Sequence, residues 1–187
     1  MTTSSQAAAA ILIREATALD ARALAGVLVQ SWRAAYRGII DDDYLASLSV
    51  DRRAQGFEAW FRDHPPSNFI RVAVDSQARP LGFAHGGPAR GSVQGTLGEI
   101  YVFYLLPQAQ RQGVGTQLMR SMARGLDLRG MDSLVVWALE RNPARAFYDV
   151  LGGRVSDSRE TPVGTRRLRE VAYRWDDLHT LMAATRV

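Results

Sequence analysis

The run Gln110-Arg111-Gln112-Gly113-Val114-Gly115 constrains this chain more than any other segment. It follows an apolar stretch with strand character, Ile100 to Leu106, and opens an amphipathic stretch, Gly113 to Leu128, with helical periodicity. A glycine-bearing turn from a strand into a helix leaves backbone N–H groups unpaired at the positive end of the helix dipole. Such a turn suits a phosphate or pyrophosphate, so the chain is expected to build an α/β domain that holds a phosphorylated cofactor.

The rest of the pattern agrees with an α/β domain. Ile11 to Arg14 reads as a short strand. Asp20 to Tyr36 reads as a helix, with Leu24, Val27, Leu28, Trp32 and Ala35 at the helical period. A second helix, Val50 to Arg62, follows the acidic link Asp41-Asp42-Asp43. Phe69 to Val74, Leu81 to Gly86 and Glu99 to Leu105 are strand-like, and turn formers separate them: Pro65-Pro66, Ala78-Arg79-Pro80 and Gly95 to Gly98. Short links predict an antiparallel meander. Ser133 to Leu139 is an apolar strand, and a right-handed crossover through the Gly113 helix places it parallel to the Glu99 strand. Pro143 to Leu151 is helical and stops at Gly152-Gly153. Arg154 to Ser158 and Leu168 to Trp175 read as a hairpin with its turn around Pro162-Val163-Gly164. The expectation is a mixed, mostly antiparallel sheet of about seven strands with one parallel pair and helices on both faces. No repeat or interior linker divides it, so residues 11–187 are expected as one domain behind a loose tail, 1–10.

Composition excludes several chemistries. The 187 residues contain no cysteine, which removes disulfides, thiolate zinc sites and cysteine nucleophiles. The three histidines, His64, His85 and His179, are scattered, and no carboxylates stand near them at ligand spacing, so no metal site is expected. No segment approaches the ~20 apolar residues of a membrane span, and the N-terminal stretch lacks the basic region of a signal peptide. A cytoplasmic protein with no membrane partner is expected. The net charge of +4 comes from arginines spread along the chain, which reads as a solvated basic surface rather than a nucleic-acid footprint.

Glu99 opens its strand, and strict alternation puts Ile100, Val102 and Tyr104 on one face with Glu99, Tyr101 and Phe103 on the other. A parallel pair is normally covered on both sides, so Glu99 is either an enclosed carboxylate with a task or the solvated start of the strand.

The run from Glu99 through Pro107 to Gly115 resembles the central motif of the GNAT N-acetyltransferases. In that family an aromatic-apolar strand with an early glutamate leads to a proline and a Gln/Arg-x-x-Gly-x-Gly/Ala loop. A second block, Asn142, Ala146, Phe147-Tyr148 and Gly152-Gly153, is similar to the family's pattern after the fifth strand. The matching order of elements extends the resemblance over residues 11 to 176. Ser31 to Ile40, followed by Tyr44-Leu45, is similar to a bacterial subgroup of mostly unassigned acceptor specificity, with Asp41 where that subgroup often has proline.

The resemblance implies a GNAT-like sheet splayed around an acyl-CoA. It implies acetyl-CoA as cofactor, its pyrophosphate on the amides of Arg111, Gln112, Gly113, Val114, Gly115 and Thr116, with Gln110 also at the cofactor site and with Gly113 and Gly115 leaving the approach open. The pantetheine arm would pair with the backbone of Phe103, Tyr104 and Leu105. Asn142 would contact the cofactor, although an ordinary N-cap before Pro143 is an equally good reading. Tyr148, facing the cleft beside a core Phe147, would protonate the leaving thiolate, and Glu99 would take the amine's proton through water. His85 is a second base candidate or a histidine without a task. Trp32, Tyr36, Tyr101 and Phe103 would line the acceptor pocket or simply fill core. The implied activity is acetyl transfer to a primary amine of a small molecule or peptide by direct attack on the thioester. O-acyl or longer-chain transfer, and a non-catalytic acyl-CoA-binding module, are the alternatives. A Rossmann dinucleotide site would need a further glycine in the loop. Homodimers are common in families of this kind.

Overall fold

The computed structural model describes residues 11–91 and 96–185. The expected tail, 1–10, and part of the turn before Gly98 lie outside the described residues. Strand β1 (Leu12–Glu15) leads to helix α1 (Ala21–Ala35), the short α2 (Asp42–Ser47) and α3 (Val50–Arg62). The meander β2 (Phe69–Val74), β3 (Pro80–Pro88) and β4 (Leu97–Leu105) follows, then α4 (Val114–Asp127), β5 (Ser133–Leu139) and α5 (Arg145–Val150). The chain closes with the hairpin β6 (Arg154–Val163) and β7 (Arg166–Trp175) and with α6 (Leu178–Ala184). All seven strands form one sheet in the order β1-β2-β3-β4-β5-β7-β6. Among the described strands only β4 and β5 pair in parallel.

Each face of the sheet carries its own core. Leu118, Met119, Met122 and Leu126 recur at helical spacing along α4 and are fully buried with Tyr148 of α5 and Leu178 of α6. Leu24, Val27 and Leu28 of α1 pack on the other face with Leu45, Val72 and Phe83. Local signals set the helix starts: Ser49 caps α3 by accepting the amide of Arg52 at 3.2 Å, and Asp177 caps α6. Among the described residues no helix is long and apolar enough to cross a membrane.

Three local expectations are corrected. The acidic link is partly helical, since Asp42 and Asp43 form the first turn of α2, where the helix dipole favours negative charge. The closing hairpin is longer than its apolar pattern suggested, with the turn at Gly164-Thr165 between the paired residues Val163 and Arg166. Pro162 lies inside β6, which tolerates it because β6 is an edge strand. Helix α6 is additional; its seven residues were too short a run for periodicity to reveal.

Candidate active site

The sheet opens between its two parallel strands. Strands β4 and β5 are paired only from Leu97↔Ser133 to Ile100↔Val136. Beyond that point β4 stays with β3 as far as Leu105, while β5 stays with β7 as far as Leu139. The cause is local. Where the β3–β4 register shifts, His85 faces Val102 and Gly86 faces Ile100, so Tyr101 is the extra residue of a β-bulge. A bulge bends its strand and sharpens the twist, which turns β4 away from β5.

Main-chain groups on the far side of the bulge face the opening. The Leu106 amide donates to the Leu81 carbonyl at 2.9 Å, on the β3 side. Backbone groups alternate along an antiparallel ladder, so those of Tyr104 also turn to β3 and those of Phe103 and Leu105 turn to the gap. The hydroxyl of Ser31 on α1 donates to the Leu105 carbonyl at 3.0 Å, so α1 lies across this end of the opening.

The bulge also corrects the parity read from the sequence. Ile100 and Phe103 pack with the α4 core, whereas Val102 and Tyr104 pack with the α1–α3 core and Leu105 touches both. One extra residue at Tyr101 flips every later side chain to the opposite face. Glu99 therefore sits on the α1–α3 side, and its side chain is 3% exposed. Its oxygens are held by Arg90: the amide of Arg90 donates to Oε2 at 2.9 Å, Nε donates to Oε1 at 3.0 Å, and Nη2 also donates to Oε1. Of the two readings left open, the structure gives the enclosed carboxylate.

At the wide end of the opening, the loop leads into α4. Arg111 and Gly113 are both left-handed, with φ of 59° and 77°. Arginine adopts that region at a cost and glycine freely, so the loop is a built conformation rather than a relaxed one. Gln117 is the first residue of the helix whose amide reaches back, donating to the Gly113 carbonyl at 3.0 Å. The amides from Arg111 to Thr116 have no main-chain partner among the described residues, as the start of a helix requires. The two glycines do different work. A Cβ on Gly113 would point into open space, with Gln117 Nε2 nearest at 3.9 Å, whereas one on Gly115 would press on Leu105 at 3.1 Å and Phe147 at 3.3 Å. Gly115 thus serves close packing of helix on strand, and Gly113 supplies the turn.

Three phenols from three elements approach one another across the opening: Tyr36 after α1, Tyr104 on β4 and Tyr148 on α5. Tyr148 is 4% exposed and packs against Tyr173 and Trp175, while Phe147 is only half-buried. The burial expected of that pair is reversed, because Phe147 covers Gly115 at the helix–loop edge and packs on Phe103. Burial raises the Tyr148 pKa above the usual phenol range, and the neighbouring phenols of Tyr104 and Tyr173 raise it further. Burial likewise pushes Tyr104 up to about 12. Tyr36 is raised in the same way, first by burial and then by Tyr104, Tyr148 and Glu170. Asn142 ties this cluster to α5: its Nδ2 donates to the Tyr36 hydroxyl at 3.2 Å and its Oδ1 accepts the Ala144 amide at 2.9 Å. It is not the helix N-cap expected from sequence: α5 begins at Arg145 with Ala144 at the cap position, and Asn142 instead closes a turn two residues before that cap.

The residues expected on the acceptor side fall into two aromatic groups. Trp32 meets Tyr36 edge to face at 5.0 Å, with Tyr44 and Tyr104 beside it. His85 lies between Trp60 and Tyr101, and its Nε2 is buried without a hydrogen-bond partner. Burial, aided by the charges of Arg90 and His64, lowers the His85 pKa from 6.5 to about 4. The unfolded imidazole takes up its proton near pH 6.5 and the folded one only near pH 4, so stability present above pH 6.5 is lost as pH falls through that window. The loss attributable to His85 is about 3 kcal/mol at most. Urea unfolding of His85→Gln is expected to show that much less acid sensitivity between pH 6.5 and pH 4 than the parent.

Four residues at the opening escaped the sequence reading. Arg90, which holds Glu99, stands in a Pro88-Ala89-Arg90-Gly91 turn with no periodic signal. Glu170 on β7 is paired with Arg159 on β6, and the Arg159 guanidinium lies over the Trp137 ring of β5, 3.9 Å from its centroid. A lone acid among the arginines of Arg166-Arg167-Leu168-Arg169-Glu170 was the available clue to Glu170.

Known proteins with this pattern are acetyltransferases. Residues 81–161 match the family model described as FR47-like protein. The N-acetyltransferase YuaI of Bacillus subtilis, itself uncharacterized, is 37% identical over 175 residues, covering 91% of this chain and 96% of the relative. A mycothiol acetyltransferase of Arthrobacter sp. is 33% identical over 111 residues, which span 54% of this chain and 31% of that protein. Among solved structures, PaiA N-acetyltransferase from Thermoplasma acidophilum in complex with coenzyme A superposes with a TM-score of 0.66 at 18% identity, over 86% of this chain and 98% of that one. YncA from Salmonella typhimurium, with its cofactor acetyl-CoA, gives 0.67 at 20% identity over 90% and 94%. These two likenesses show the fold, and the near full-length match to YuaI shows the kinship: the chain belongs to the GNAT family of N-acetyltransferases, which are acyl-CoA-dependent acyltransferases.

Proposed function

We propose that this protein moves the acetyl group of acetyl-CoA to a primary amine of a small molecule or peptide by direct attack on the thioester. The observation that carries the reading is the opening between β4 and β5: the main-chain edge at Phe103 and Leu105, which no strand pairs among the described residues, leads to the amides of Arg111 to Thr116 that have no main-chain partner there. A pantetheine arm fits the first as an added strand, and a pyrophosphate fits the second. When bound, acetyl-CoA supplies an activated acyl group on a thiol leaving group.

The chain's own residues then have separable tasks. Gly113 holds the loop so that its amides converge, and Arg111 adds a charged donor. The amine nitrogen forms the new C–N bond to the carbonyl carbon as the C–S bond breaks. Tyr148 delivers a proton to the departing sulfur; its raised pKa keeps the phenol protonated through the neutral range, in the form that can donate. Glu99 receives the amine's proton through water at Oε2, which among the described residues accepts only the Arg90 amide and so retains a lone pair. An amine of pKa ~10.4 is neutral in only about one molecule in a few thousand at pH 7, so a proton acceptor raises the reactive fraction.

Two experiments test the reading. Acetyl-CoA is expected to raise the melting temperature while NAD and ATP do not, and thiol release over an amine panel should match acetylated product one to one. Stabilisation by NAD alone would sink it. Gly113→Val places a β-branched residue at φ 77°. It is expected to raise the KM for acetyl-CoA about tenfold or more, with kcat at saturation much less affected.

A further inference from the structure

We propose that the acceptor carries a carboxylate as well as its amine, and that Arg90 and Arg159, one on each lip of the opening, receive it. The inference rests on the acetyl-transfer reading and narrows its substrate.

Two constructions repeat across the opening. Arg90 lies over the ring of Tyr101 at 4.9 Å, and Arg159 lies over the ring of Trp137 at 3.9 Å. Each guanidinium is pinned from behind by a glutamate, Glu99 in the first case and Glu170 in the second, whose side chains are only 3% and 12% exposed. Each arginine nonetheless keeps most of its own surface, with side chains 61% and 51% exposed. Tyr101 and Trp137 are the residues that follow Ile100 and Val136, the last pair joining β4 to β5. The two stacks therefore flank the opening where it begins. They also share a face of the sheet. Leu134 and Val136 point to the α4 core, so Trp137 points to the other side with Ala172 and Glu170, and Glu99 opposes Ile100. The charge of Glu170 also raises the pKa of Arg90, a small contribution beside that of Glu99, and that of Tyr36.

This arrangement fits an anion. In each pair the cation is the exposed partner and the carboxylate the hidden one, so an arriving molecule meets guanidinium edges first. Among the described residues, Arg90 spends Nε and Nη2 on Glu99 and keeps Nη1, and Arg159 spends Nε on Glu170 and keeps both terminal nitrogens. A free arginine gives up much side-chain entropy when it binds, but one already stacked and pinned has lost it before the ligand arrives. Planar, pre-oriented donors match a carboxylate and repel a polyamine.

The test compares ligands that differ only in this group. Protein saturated with coenzyme A is titrated with N-acetyl amino acids, each paired with its primary amide; neither contains a titrating amine, so the comparison isolates the carboxylate. The acids are expected to bind about tenfold or more tightly than the amides, and the preference should fall several-fold between 50 mM and 500 mM NaCl. Arg159→Gln should shrink the preference toward unity, and Arg159→Lys should keep part of it. The melting shift with acetyl-CoA checks that each variant is folded, and the wild-type comparison stands without any variant. Equal response to acid and amide, measurable or absent, overturns the proposal, as does faster turnover of spermidine than of the free amino acids. Failure of acetyl-CoA itself to stabilise the protein would instead overturn the acetyl-transfer reading.

Discussion

Tyr148→Phe is expected to lower kcat for acetyl transfer about a hundredfold and leave the KM for acetyl-CoA within about twofold. The size follows from the task. A thiolate leaves poorly from a buried site unless a proton meets it, and general acids contribute on the order of a hundredfold or more. Phenylalanine keeps the ring that packs on Tyr173 at 5.3 Å and on Trp175 at 6.1 Å, so the core should survive the change. Burial holds the Tyr148 pKa above the ordinary phenol value, so loss of the donor through ionisation should not appear in a pH–rate profile up to about pH 9. An unchanged kcat would move the donor to another phenol, with Tyr36 the first to test.

Arg90→Ala should have the largest effect on stability, a loss of about 3 kcal/mol in urea unfolding at pH 7. The arginine is itself largely exposed, so its own desolvation is small; what the substitution leaves is a Glu99 carboxylate with 3% exposure and only one amide to hold it. The double variant Arg90→Ala with Glu99→Gln should recover part of the loss, because a neutral amide needs no counter-charge. Equal cost in the single and double variants would show that Arg90 acts by packing on Tyr101 rather than by compensating Glu99.

These two predictions differ in how far the sequence led to them. The left-handed turn at Gly113 and the order of strands and helices were legible, because each is encoded locally, whereas the burial of Phe147 and Tyr148 was not. A glycine at a left-handed turn, an apolar period along α4 and a continuous apolar run in β5 need no knowledge of partners. The Tyr101 bulge was not legible, since nothing in Glu99-Ile100-Tyr101-Val102 marks one residue as extra; the register with β3 decides it. That single residue reversed the faces of Val102 and Tyr104 and set where the sheet opens. The role of Gly115 was misread for a similar reason, as its neighbours Leu105 and Phe147 come from a strand and a helix far along the chain. Arg90, Arg159 and Glu170 were invisible because an ion pair between a turn and a strand, or across a hairpin, leaves no periodic trace. Arg90 and Arg159 at the opening are held by such pairs, while the loop into α4 rests on a local motif.

Hydrogen exchange with and without acetyl-CoA tests the central claim most directly, because it reports which amides the ligand covers. The account predicts new protection at two places, the amides from Arg111 to Thr116 and those of Phe103 and Leu105, with Tyr104 already slow to exchange through its bond to β3. Protection confined to other segments, or acetyl-CoA binding with the Arg111–Thr116 amides still exchanging freely, would contradict it.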